Sequence, residues 1–203
     1  MRRKIAVKPS FFLILLCAFA AAPARLVACI LLAAAAHEAG HLALLAAFGV
    51  KIERITLAAM GAEICAPKAA RLSYGRELAV TLAGVAVNAL LALTAGMAGV
   101  RLRAETLLLF AGANAVLGAY NLLPIPPLDG GHALYLITAY FFGPTVGDAV
   151  TAVVGTLCAI AAVLLGGYAA FFLHGGYFFL LAAHGLLFGA ISQLGLAKSA
   201  VRV

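Results

Sequence analysis

Residues 26–48 form an apolar run with one ionisable cluster, His37-Glu38-Ala39-Gly40-His41. A helix of about 20 such residues crosses the hydrocarbon of a bilayer, whereas a membrane β-strand needs only about 9–11. Lipid offers the backbone no hydrogen-bond partners, so a run of this length at that depth must be a helix. Ionisable groups are costly there and mark a functional site. On a helix, His37 and His41 are four residues apart and share a face, where they can grip one cation. Glu38 stands beside the first histidine, placed to take a proton from an attacking water. The pattern points to zinc-dependent peptide hydrolysis inside the membrane.

The rest of the chain agrees. Of its 203 residues 66% are hydrophobic and only 10% are charged, against about half and a quarter in soluble domains. The expected fold class is an all-α polytopic membrane protein, read as one integral-membrane domain over residues 1–203. The net charge of +7 does not point to nucleic acid. The basic residues cluster in short segments between apolar runs, where they act as topology signals beside anionic lipid. Cys17, Cys29, Cys65 and Cys158 have no paired spacing and read as small hydrophobes.

Six spans are expected, near residues 11–22, 26–48, 78–100, 106–123, 146–165 and 176–194. The first follows Arg2, Arg3, Lys4 and Lys8 and reads as a retained helix rather than a signal peptide, because a second apolar run follows at once. Pro23 and Gly49 mark the ends of the first two spans, and Gly166-Gly167 the end of the fifth. Residues 51–74 carry charges and alternate around Ile52, Arg54, Ile55 and Leu57, which predicts a small β-hairpin or a re-entrant loop. Residues 132–142 are apolar but short and read as a continuation of the broken fourth helix. Lysine and arginine counts place both termini in the cytosol, with only Arg25, Arg101 and Arg103 on the far side. The histidine cluster then lies in the cytosolic half of its span.

Catalytic zinc takes three protein ligands and leaves a fourth position open. The other acidic residues flank spans, but Asp129 sits inside Asn121-Leu-Leu-Pro124-Ile-Pro-Pro-Leu-Asp129-Gly130-Gly131. The orientation brings this stretch to the cytosolic side, at the depth of His37 and His41. Irregular backbone at membrane depth is tolerated only when buried in protein or lining a wet cavity. Its prolines free backbone groups that a bound peptide could pair with, and Gly130 and Gly131 permit a tight turn. Asn121 is a candidate to orient a substrate backbone. His132 reads as a support for the site or a loop histidine, and His174 and His184 as packing residues. Asn88 and Asn114 read as interhelical hydrogen-bonding amides.

These residues resemble the site-2 protease family of intramembrane zinc metalloproteases, peptidase family M50. The resemblance rests on HExxH at His37 to His41 and an NxxPxxxxDG element at Asn121, Pro124, Asp129 and Gly130, and covers residues 8–140. It implies one zinc per chain held by His37, His41 and Asp129, with Glu38 as general base. It also implies six spans, a catalytic core near residues 8–140 and two further C-terminal helices. Substrate contacts are assigned to Asn121, Pro124 and Gly130. Asn-Leu-Leu-Pro followed by Pro-Leu-Asp-Gly-Gly is most similar to the sporulation branch, which processes pro-sigma-K. That branch usually carries a cytosolic CBS domain and the envelope-stress branch a PDZ-like insert, and residues 1–203 show the pattern of neither. Gly84-Val85-Ala86-Val87-Asn88 lacks the proline of the family's Gly-Pro-x-x-Asn, and Gly61-Ala62 replaces a Gly-Gly.

The implied substrate is a membrane-associated protein, of which a pro-sigma factor is one case, cut near the cytosolic face of a bacterial or forespore membrane. A gating or inhibitory membrane partner is expected, and residues 51–74 are the candidate gate. The competing reading is a non-catalytic zinc scaffold or a zinc carrier. A carrier needs polar groups along a route across the bilayer, and the third, fifth and sixth spans offer few. A scaffold has no need of Glu38 or Asp129.

Overall fold

A computed structural model describes residues 4–58, 61–65 and 72–172. Over these the chain runs β1 (Lys4–Val7), α1 (Pro9–Ala21), α2 (Ala24–Ala47), β2 (Arg54–Ala58), β3 (Gly61–Cys65), α3 (Tyr74–Leu102), α4 (Glu105–Asn121), α5 (Asp129–Phe142) and α6 (Pro144–Phe172). It divides into two compact units, Met1–Ala119 and Tyr120–Val203. Helices α2 and α3 and the Pro144–Tyr168 part of α6 are long and apolar enough to cross a membrane. The span expected near 176–194, with His174 and His184, lies outside the described residues.

In the first unit, β2 and β3 form the expected hairpin, with Thr56 opposite Glu63 and Ile55 opposite Ile64. The sequence reading did not foresee β1. Lys4–Val7 runs parallel to β2, Lys4 opposite Arg54 and Val7 opposite Leu57, giving the sheet order β1-β2-β3. This strand fixes the length of α1. The helix starts at Pro9, whose missing N–H suits a first turn, and stops before Pro23. Its 13 residues reach about 20 Å, short of the roughly 30 Å of hydrocarbon. None of its residues is buried, and Phe12, Leu13 and Leu16 are exposed, as suits a lipid-facing surface.

Helix α2 ends in a Schellman cap. Gly49 adopts φ +72°, its N–H donates to Ala46, and Val50 N–H donates to Leu45. Contacts between α2 and α3 run in opposite senses along the two helices. Ala33 meets Asn88, Gly40 meets Ala83 and Val87, and His41 meets Val80, so the helices are antiparallel. The buried stripe of α3 is Thr81, Gly84, Val85 and Asn88, the i, i+3, i+4, i+7 face of a helix. Helix α4 lies antiparallel to α3, through Leu108 at Gly99 and Gly118 at Asn88. Small and polar residues thus fill this interior, while Leu90, Leu93, Met97 and Val100 face outward. Lipid tails are as apolar as leucine, so close packing of small residues rather than hydrophobic burial joins such helices.

In the second unit, residues 122–128 fold back on the start of α5. Ile125 N–H donates to Leu123, and Leu128 N–H to Ile125. Ile125 and Leu128 pack with Ala159 of α6 in a buried cluster. A Cβ at Gly130 would strike the carbonyls of Leu122 and Leu123, and one at Gly131 would sit 2.6 Å from the Ile125 carbonyl carbon. Both glycines are therefore required by backbone contact with the loop. Helix α5 starts at Asp129, three residues before the expected 132, because the loop turns directly into it. Helix α6 runs through Gly166-Gly167 to Phe172, where an end was expected. Each glycine costs a helix about 1 kcal/mol, but breaking it in lipid would strand several backbone groups.

At Gly40 the backbone of α2 lies close against α3. A Cβ there would lie 2.8 Å from the Ala83 carbonyl oxygen and 3.0 Å from Val87 Cγ2. Backbone cannot yield as a side-chain tip can, so Gly40→Ala should cost about 1–3 kcal/mol. That corresponds to a fall in Tm of roughly 2–10 °C in detergent thermal-unfolding curves. Gly112→Ala, where a Cβ meets nothing within 4 Å, should hold or raise Tm.

Candidate metal centre

The two histidines of α2 point into the seam with α3, and both are buried. Their rings stand nearly perpendicular at 81°, with centroids 4.7 Å apart. Nδ1 of His41 lies 2.8 Å from the Val80 carbonyl oxygen. A carbonyl can only accept, so this nitrogen carries the ring hydrogen and Nε2 presents a lone pair. Nδ1 of His37 lies 2.6 Å from Asn88 Oδ1.

The orientation of the Asn88 amide is set independently of the histidine. Its Nδ2 donates to the Ala33 carbonyl at 3.2 Å and to Asn114 Oδ1 at 2.8 Å. Reversing the amide would set its oxygen against the Ala33 carbonyl. Oδ1 therefore faces His37 as an acceptor, Nδ1 donates, and Nε2 of His37 also presents a lone pair. The two Nε2 atoms lie 3.1 Å apart. Two neutral acceptors at that distance repel, and a cation shared between them removes the repulsion. Two nitrogens at about 2.0–2.1 Å from a tetrahedral zinc stand roughly 3.3 Å apart. The pair fits zinc.

Gly84 opposes both rings. A Cβ there would lie 2.5 Å from His41 Nε2 and 2.8 Å from His37 Nε2, so the missing side chain leaves room for the metal-facing edge of the imidazoles. Glu38 follows His37 on α2 and is only partly buried. In the second unit, Asp129 opens α5 and is partly buried. A carboxylate in a first helical turn is favoured by the backbone dipole. Asn121 closes α4, Pro124 lies in the loop and Gly130 is buried in the first turn of α5. His132 is exposed on α5, its ring stacked on Tyr135. It belongs to a helix, not to the loop considered above.

The model of peptidase family M50 matches residues 100–165. That stretch contains Asp129 and excludes the histidine pair, so motif and family match are separate observations. Rip3 of Mycobacterium tuberculosis is 38% identical over 154 residues, which make up 70% of this chain and 37% of that protein. Stage IV sporulation protein FB of Bacillus subtilis is 33% identical over 66% of this chain and 47% of its own length. The chain belongs to peptidase family M50. It spans less than half the length of these two curated relatives. Its fold is that of the solved site-2 protease from Methanocaldococcus jannaschii, with a TM-score of 0.67 at 23% identity, covering 93% of this chain and 89% of that one. As an M50 member with three apolar helices of spanning length among the described residues, it is an integral membrane protein, and zinc is the metal its family uses.

Sequence reasoning found both histidines but not the groups that orient them. From sequence Asn88 reads as an interhelical amide, and the M50 pattern marks the proline that is absent rather than the Gly84 and Asn88 that remain. The available signal was the four-residue spacing of Gly84 and Asn88, which stacks them on one face of α3.

The His37 and His41 rings cannot swing away from a Cβ at position 84 without losing their bonds to Asn88 and Val80. Each buried bond lost costs about 1–3 kcal/mol. Gly84→Ala should therefore lower zinc content well below one per chain, as read by atomic absorption. Gly96→Ala, whose Cβ would meet Ala111 at an ordinary 3.7 Å, should retain the metal.

Proposed function

We propose that this protein is a zinc-dependent intramembrane endopeptidase that cuts a membrane-associated protein near the cytosolic face. The observation that carries this reading is the pair of Nε2 lone pairs facing each other at 3.1 Å, with a glutamate next in sequence to His37. His37, His41 and Asp129 would hold the metal, two neutral imidazoles and one carboxylate. Zinc, when bound, supplies the Lewis acidity that activates water and polarises a scissile carbonyl.

The protein's own groups do the rest. Glu38 takes the proton of the attacking water and passes it to the leaving amine, so the amide breaks without a strongly basic leaving group. Val80 and Asn88 keep the imidazoles aligned. Asn121, Pro124 and Gly130 border an irregular backbone suited to pairing with an extended substrate. The hydrocarbon around the bundle keeps bulk water away.

The pairing of β1 with β2 supports the topology read from charge. In this reading α1 with its flanking residues and then α2 carry the chain out and back, so that Lys4 and Arg54 share one side, which we take with both termini as the cytosol. The strands between α2 and α3 serve as a gate over the site. Deleting the tip of the stretch 51–74 should change which substrates are cut and leave zinc content unchanged. The likeness to Stage IV sporulation protein FB makes a pro-sigma-type protein the first substrate to try. Residues 1–203 work as one protease domain in this reading, with its core near residues 8–140.

The decisive experiment measures zinc and cleavage together in wild type, Glu38→Gln and Asp129→Ala, co-expressed with a pro-sigma-type or a single-span substrate. Wild type should bind one zinc and cut. Glu38→Gln should keep zinc and lose cleavage by about 10²-fold or more, and Asp129→Ala should lose both. Normal cleavage by Glu38→Gln would remove Glu38 from the mechanism. Zinc binding with no cleavage of either substrate would favour a scaffold.

A further inference from the structure

The most buried polar side chains among the described residues are Asn88 and Asn114, each with 0% exposure. They form a directed chain across three helices. Asn114 Nδ2 on α4 donates to the Phe110 carbonyl at 2.8 Å. Asn114 Oδ1 accepts from Asn88 Nδ2 on α3 at 2.8 Å. Asn88 Oδ1 then accepts from His37 Nδ1 on α2.

Each link fixes the next. The Phe110 carbonyl can only accept, so the nitrogen of Asn114 must face it and its oxygen must face Asn88. Asn88 must then present nitrogen to Asn114 and oxygen to His37. We propose that Asn114 is a positioning residue of the metal centre, which acts through Asn88 to hold His37 in the tautomer whose Nε2 lone pair faces the metal. Asn114 touches neither histidine.

This inference rests on the zinc-protease reading but is tested apart from it. His41 provides an internal reference, because its tautomer is held by the Val80 backbone and owes nothing to the amides. A residue that merely glues helices together would change stability and leave both tautomers alone.

The test uses the full chain in detergent, labelled with ¹⁵N-histidine and stripped of metal, at a pH above the imidazole range. Wild type should show hydrogen on Nδ1 of both rings. Asn114→Leu leaves only the longer bond to the Ala33 carbonyl to orient the Asn88 amide, so it should raise a minor second tautomer of His37, leave His41 unchanged, and weaken zinc binding about tenfold in competition with a chromophoric chelator. That is the lower end of the roughly 10–100-fold seen when groups supporting a metal ligand are removed. Asn114→Gln, which keeps both an amide donor and an acceptor oxygen, should restore the wild-type spectrum and affinity at least in part. If Asn114→Leu does not fold, Asn114→Ala removes the same acceptor with less bulk.

An unchanged His37 spectrum with unchanged zinc affinity in the folded variant overturns the proposal, as does a wild-type His37 with hydrogen on Nε2. Equal disturbance of His41 would reduce Asn114 to a packing residue and overturn it too. Failure of the protease reading would appear elsewhere, as wild type that holds zinc and cuts nothing. The tautomer spectrum of the metal-free protein would be unaffected by that result.

Discussion

A ring N–H in hydrocarbon must find an acceptor, because no water is present to supply one. Nδ1 of each histidine meets that demand, with the Asn88 amide for His37 and the Val80 carbonyl for His41. These bonds turn two flexible rings into a fixed pair with converging lone pairs. An unsatisfied polar group in an apolar medium costs several kcal/mol, more than any one weak contact could recover. The geometry of the centre is in this sense dictated by its solvent.

The same constraint shapes the bundle around it. The helices must approach closely enough for a histidine on α2, an amide on α3 and an amide on α4 to bond in series. Gly40 lets the α2 and α3 backbones meet, Gly84 gives the rings room, and Gly118 lets α4 approach Asn88. Bulky residues face outward, where lipid accepts them. The usual distribution of a soluble protein is inverted, and the glycines that would weaken a helix in water here set the helix spacing.

Family membership and metal chemistry reach the same conclusion from different parts of the chain. The M50 match covers residues 100–165, whereas the pair that fits zinc lies on α2. Glu38, next in sequence to His37, is only partly buried, whereas both histidines are buried.

The sequence by itself determined the chemistry and the class. A run of apolar residues around HExxH leaves lipid and helix as the only environment, and the i, i+4 spacing puts both histidines on one face whatever else the chain does. It also marked the hairpin after α2, but it read Gly130-Gly131 as a tight turn where these residues lie in the first turn of α5. It misjudged the end of α6 at Gly166-Gly167, because local propensity yields to the need for continuous backbone pairing in lipid. It did not reveal β1, since four residues of apolar and basic character carry no helix or strand period of their own and become a strand only when β2 lies alongside. Nor could it give the order of the Asn114–Asn88–His37 chain. Those residues are separated by 26 and 51 positions, and only the antiparallel packing of three helices brings them within hydrogen-bond distance. The tautomer of a metal-binding histidine depends on which partner its other nitrogen meets, and that is decided by tertiary structure alone.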